Sequence, residues 1–70
     1  MVEVFKTNVQ SHYDAITLKE ILLKEFPDIQ INFDLDDCDK ILRTEGKNIP
    51  ISDIIQIVKM EGFFCEIIEE

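Results

Sequence analysis

Few side chains in this chain are equipped for chemistry. They are one histidine, His12, two cysteines, Cys38 and Cys65, one arginine, Arg43, and a run of aspartates, Asp34, Asp36, Asp37 and Asp39. Imidazole, thiolate and carboxylate together make a donor set for Zn²⁺, and His12, Asp14 and Cys38 are the candidate ligands. Two cysteines are too few for a disulfide framework, and Cys38 and Cys65 lack the close spacing of a zinc or redox pair. His12 has no nucleophile or paired carboxylate at a spacing that defines acid–base catalysis. Cys38 stands among aspartates, unlike the electropositive surroundings that activate thiols. Cys65 alternates with Phe63 and Ile67 and reads as a core residue. No Ser-His-Asp set, glycine-rich nucleotide loop or phosphate cradle is present. The expectation is a chain that is not an enzyme and carries no cofactor.

The aspartate run starts like a calcium loop. Asp34 and Asp36 take the first and third positions, and Glu45 takes the last. The glycine required for the sharp turn is replaced by Asp39, and the flanks read as strands where helices are needed. The segment is therefore expected to be a solvated hairpin turn. Its like charges repel one another, with only Lys40 adjacent to balance them.

The elements that position these residues follow from hydrophobic periodicity. Val2 to about Val9 reads as a first strand, with Val4 or Phe5 facing inward. Ser11 to about Phe26 reads as a helix, because Ala15, Leu18, Leu22 and Phe26 recur at helical offsets. Ser11 is its expected N-cap and Pro27 its stop. Ile29 to Leu35 alternates cleanly, with Ile29, Ile31, Phe33 and Leu35 on one face and Gln30, Asn32 and Asp34 on the other. Asp36–Asp39 turns the chain into a third strand, Lys40 to about Glu45. Ile51 to Glu61 reads as a second helix, capped by Ser52 or starting from Asn48 through Pro50. Gly62 is suited to the left-handed residue past its end. Phe63 to Ile68 is the last strand.

This order predicts an α+β fold in one domain spanning residues 1–70. Right-handed crossovers and short connections favour a ferredoxin-like βαββαβ sandwich, a four-stranded antiparallel sheet with two helices on one face. In that topology the Val9–Asp14 loop, the Asp36–Asp39 turn and the Gly62–Phe63 corner meet at one end of the sheet. His12, Asp14 and Cys38 are expected there. The wet face of the sheet is expected to carry Ile41, Arg43, Phe64, Glu66 and Ile68, a small apolar patch rimmed by charge and suited to protein contact or dimerisation.

Composition narrows the partners. The 70 residues carry 15 acidic and 7 basic side chains, a formal net charge of −8, and 46% are hydrophobic. A surface so acidic repels phosphate backbones and anionic lipid, so neither nucleic acid nor membrane is an expected partner. A basic protein or a cation fits the field better. No secretory leader pattern or membrane-length apolar run is present, which points to the cytoplasm with both thiols reduced.

The element order and the Gly62-Phe63 corner resemble the heavy-metal-associated domains of copper chaperones and metal-transporting ATPases. The resemblance covers the whole chain. The family motif M-x-C-x-x-C, aligned through Leu18 and Leu22, falls on Val9-Gln10-Ser11-His12-Tyr13-Asp14. Ser11 and Asp14 stand where the two thiolates belong. A soft Cu(I) ion selects thiolate sulfur, so the copper function implied by the family does not transfer. The resemblance implies instead an interaction module on that scaffold with a degenerate loop.

Overall fold

The computed structural model describes residues 1–68; residues 69 and 70 of the expected domain lie outside the described residues. Six elements follow one another: β1 (Val2–Thr7), α1 (His12–Glu25), β2 (Gln30–Asp34), β3 (Ile41–Glu45), α2 (Ile51–Met60) and β4 (Cys65–Ile67). The chain is α+β, with four strands in one antiparallel sheet ordered β2-β3-β1-β4.

Each helix begins and ends for a local reason. At the start of α1, Ser11 Oγ accepts hydrogen bonds from the backbone N–H groups of Tyr13 (3.1 Å) and Asp14 (3.4 Å), taking up donors that the first turn leaves free. The end of α1 falls at Glu25, before Pro27. In α2 the cap position belongs to Pro50, without a side-chain hydrogen bond, so neither Ser52 nor Asn48 caps it. The Pro50 carbonyl already accepts from Ile54 N–H, and Ser52 therefore lies inside the first turn. At the other end Gly62 adopts φ +95°. Its N–H donates to Lys59 O, and Phe63 N–H donates to Val58 O. This pair of bonds forms a Schellman motif, which relies on a residue free to take positive φ.

The strands settle the open question of phase. Phe5, not Val4, faces the helices; it pairs with Leu42 on β3 and Ile67 on β4. Phe5, Leu42, Ile31 and Cys65 share one buried cluster with Leu22 of α1 and with Ile54 and Val58 of α2. Both helices therefore cover the same side of the sheet. A second cluster of Val9, Ala15 and Leu18 packs against Phe33, Leu35 and Phe63 and closes one end. Val9 is fully buried although β1 has already ended at Thr7. Phe33, expected on the inward face, is partly buried there and packs against both clusters.

Lys40 is a turn residue and not the start of β3. Its φ of +47° is left-handed, a conformation that a residue with a Cβ adopts at a cost. No helix among the described residues is long and apolar enough to cross a membrane.

Candidate functional site

The loop end of the sheet is assembled by backbone hydrogen bonds. Thr7 N–H donates to Asp39 O (3.1 Å), and the buried Thr7 hydroxyl donates to Lys40 O while accepting from Val9 N–H. Asn8 Oδ1 accepts from Phe64 N–H at 2.8 Å. The segment after β1 is thus tied both to the β2–β3 turn and to the α2–β4 corner. The three connections meet.

The acidic turn is held by its own donors and acceptors. Asp37 Oδ1 accepts from Asp39 N–H at 2.8 Å, and Asp37 O accepts from Lys40 N–H at 3.0 Å. The Lys40 ammonium reaches back to Leu35 O at 2.9 Å. Lys6 and Asp39 form an ion pair at 3.6 Å, with both side chains about half exposed. Such a pair is screened by water and adds little stability. Asp37 is therefore a structural acceptor in the turn as well as one of its repelling charges.

The expected donors do not gather. The ligand atoms of Asp37, Cys38 and Asp39 lie within 4.8 Å of one another, and this is the group of metal-compatible side chains found among the described residues. His12 and Asp14 are not in it. His12 instead lines a groove on the flank of the molecule between α1 and β2. The positions that would carry thiolates in a copper domain also do not fit a soft ion: Ser11 is a hydroxyl spent on the N-cap, and Asp14 is a carboxylate in the first helical turn.

Cys65 is buried, 2% exposed, beside Phe5 and Val58 in the core. Burial pushes its thiol up to about 11 from the ordinary 9.0, against a smaller opposing pull from Lys59. It stays protonated near neutrality and acts as a small apolar side chain.

The open face of the sheet is the remaining surface with a definite composition. Strand register places Lys6 between Ile41 on one neighbour and Glu66 on the other. Arg43 lies between Val4 and Asn32, and Asp34 lies opposite Ile41. Ile68 N–H donates to Val4 O at 2.8 Å, which extends this face past β4. Ile41, expected as an exposed part of the patch, retains only 9% of its surface and is flanked by Lys6 on β1 and Asp34 on β2. The apolar area open to solvent comes from Val2 (50%), Phe64 (42%) and Ile68 (37%). A depression that takes in Val4 and Ile41 is bordered by Asp34, Asp37 and Asp39, with Arg43 beside them, and extends to Ile67 and to Ile51 at the start of α2.

Sequence reasoning placed Arg43, Glu66 and Ile68 on this face and missed Val2 and Val4. The signal for those two was available: once Phe5 is taken as the inward residue, period-2 alternation turns Val2 and Val4 outward. It also missed the groove beside His12. There the signal was Ile16, an apolar residue of α1 that falls off its buried stripe and stays exposed. Comparisons with protein-family models, curated proteins and solved structures give no match for this chain.

Proposed function

We propose that this chain is a non-catalytic interaction module of the cytoplasm, built on a ferredoxin-like scaffold, with the open face of its sheet as the contact surface for a basic partner protein. The observation that carries the reading is the composition of that face. Exposed Val2 and Ile68 line a depression edged by Asp34, Asp37 and Asp39, and Phe64 is exposed just before β4. Apolar side chains supply area to bury, and the carboxylates select a partner by charge. The strand order β2-β3-β1-β4 is compatible with a ferredoxin-like sandwich. On this reading the scaffold is similar to a heavy-metal-associated domain whose thiol pair is gone, and Gly62-Phe63 at the α2–β4 corner supports the likeness.

The test is affinity capture from extract of the source cells with two baits, wild type and the double variant Phe64→Glu, Ile68→Glu. Both positions are exposed, so the variant keeps its core. The expected result is a captured basic protein that is lost with the variant and released by high salt. Identical captures with both baits would sink the reading.

A metal-binding protein with ligands outside the family motif is the second reading, and the proximity of Asp37, Cys38 and Asp39 favours it. Titration with Zn²⁺, followed by native mass spectrometry of wild type and Cys38→Ser, separates the two. Stoichiometric Zn²⁺ that disappears in Cys38→Ser would move the assignment to the turn.

A further inference from the structure

A second surface differs from the open face in its charge. A groove runs between α1 and the outer edge of β2. At one end Ala15, Phe33 and Leu35 line it, flanked by Ile16 and His12. At the other end Leu23, Pro27 and Ile31 line it. Lys19 and Asn32 belong to both halves, so the two depressions adjoin along the β2 edge. Among the described residues no carboxylate lines either half, in a chain whose acidic side chains outnumber the basic ones 15 to 7. Lys19 is partly buried along this groove. It makes no ion pair or side-chain hydrogen bond among the described residues, and neither does the Asn32 amide.

One wall of the groove is the free edge of the sheet. β2 is outermost in the strand order, and among the described residues its five residues, Gln30–Asp34, pair only with β3. On the other side alternate N–H and C=O groups have no strand neighbour. Edge strands are commonly blunted by lysine, proline or extreme shortness. β4, at the opposite edge, has three residues, whereas β2 has five and contains neither lysine nor proline.

We propose that this groove docks an extended peptide segment of a partner protein, one with a carboxylate side chain set between apolar residues, which adds to β2 as a fifth strand. Main-chain hydrogen bonds to the β2 edge supply affinity without regard to sequence, and alternate side chains of the segment enter the groove. Its apolar residues rest on Phe33 and Leu35 at one end and on Leu23 and Ile31 at the other. Its carboxylate meets Lys19 between them. Five strand residues span about 17 Å, so a segment of five to seven residues fills the site. A second copy of this chain is disfavoured as occupant, because it brings the same net charge of −8.

The test is selection of a randomised peptide library, displayed on phage, against the full-length chain. Enriched peptides are then synthesised and titrated into ¹⁵N-labelled protein. The expected peptides carry a central aspartate or glutamate between apolar residues. Their shifts and their amide protection map to Gln30–Asp34 and to the groove side of α1. Lys19→Glu weakens them by roughly tenfold or more, while Phe64→Glu on the open face leaves them unchanged. Ile16→Glu, at a position 58% exposed, weakens them without endangering the fold. Any of four results would overturn the proposal. They are basic consensus peptides, binding indifferent to Lys19→Glu, shifts confined to the open face or to β4, and no enrichment at all. A concentration-dependent dimer that protects the β2 amides and excludes the peptides would replace it with self-association.

Discussion

The two faces of this sheet are built from the same strands, yet one is packed under both helices and the other mixes apolar with charged side chains. Ile41 and Leu42 are neighbours in sequence. Leu42 lies in the cluster that joins β1, β2 and β4 to both helices, while Ile41 faces the side no helix covers. Phe5 is fully buried on the closed face, and Phe64 is 42% exposed. Both helices sit over one face because the apolar stripes of α1 and α2 converge on Phe5 and Leu42. The difference teaches that apolar content alone does not define the core here. What defines it is which phase of each strand points toward a helix. The apolar residues left over on the other phase are then available for contact with a partner.

The sharpest way to break this comparison is to empty the closed face. Phe5→Ala removes a fully buried ring at the meeting point of three strands and is expected to cost about 3–5 kcal/mol. Phe33→Ala should cost less, about 2 kcal/mol, because its ring is only partly buried. Urea denaturation of both variants measures the difference. Equal losses would mean that α1 covers the β2 edge more completely than the packing here indicates.

A pH titration probes the same face through a single atom. The Cys65 thiol ordinarily ionises near 9.0 and is pushed up to about 11 in the fold. Between those values the unfolded chain has released the proton and the folded chain still holds it. Stability contributed by this group is therefore complete below about 9 and is lost as pH rises toward about 11. The loss is on the order of 2 kcal/mol. The quantity to measure is the difference between wild type and Cys65→Ala. The slope with pH should be shallower in the variant. Parallel slopes would show that the thiol is reachable by water.

The β2–β3 turn links the two faces, and its effect is smaller. Asp37→Ala removes the acceptor for Asp39 N–H and is expected to cost about 1 kcal/mol. Asp37→Asn keeps an oxygen in place and removes one of the neighbouring negative charges, so it should be neutral or slightly stabilising, with the gain shrinking in high salt. Thermal melts at low and high salt distinguish the two. A loss in Asp37→Asn as large as in Asp37→Ala would mean that the turn depends on the charge and not on the hydrogen bond.

Much of this arrangement was legible from the sequence because the responsible rules are local. Ser11 as a cap, Pro27 as a stop, Gly62 at positive φ and the alternation through Ile29–Leu35 each depend on a few consecutive residues. What was missed depends on strand pairing with distant residues or on the detailed geometry of a turn. Val4 and Phe5 are adjacent and both apolar, and only pairing with Leu42 decides between them. Lys40 is pulled into the turn by Asp37 O and Leu35 O, contacts that a strand pattern does not encode. Ser52 looked like a cap, but Pro50 had already taken that place. The donors His12 and Cys38 were expected together because their loops meet. The loops do meet, yet His12 turns to the α1–β2 flank, a choice set by where the first helical turn points its side chains.

The smallest expected effect is also the one that bears most directly on function. Phe64→Ala should change stability by less than about 1 kcal/mol, because a ring already 42% exposed gives up little burial when the rest is removed. The backbone of Phe64 is another matter: its N–H donates to Asn8 Oδ1, a bond that fixes the α2–β4 corner to the segment after β1 and that alanine retains. Stability and contact are thereby separable at this position. A partner that uses the open face should lose affinity with Phe64→Ala by far more than the fold loses stability, since rings at the centre of an interface supply much of its binding energy. Asn8→Ala makes the reciprocal case. It leaves the ring in place but removes the bond, so stability falls by about 1 kcal/mol while binding follows only if the corner shifts. Denaturation and binding measured side by side on the two variants decide it. A Phe64→Ala variant as destabilised as Phe5→Ala would place its ring in the core, and the distinction between a closed and an open face would not extend to β4.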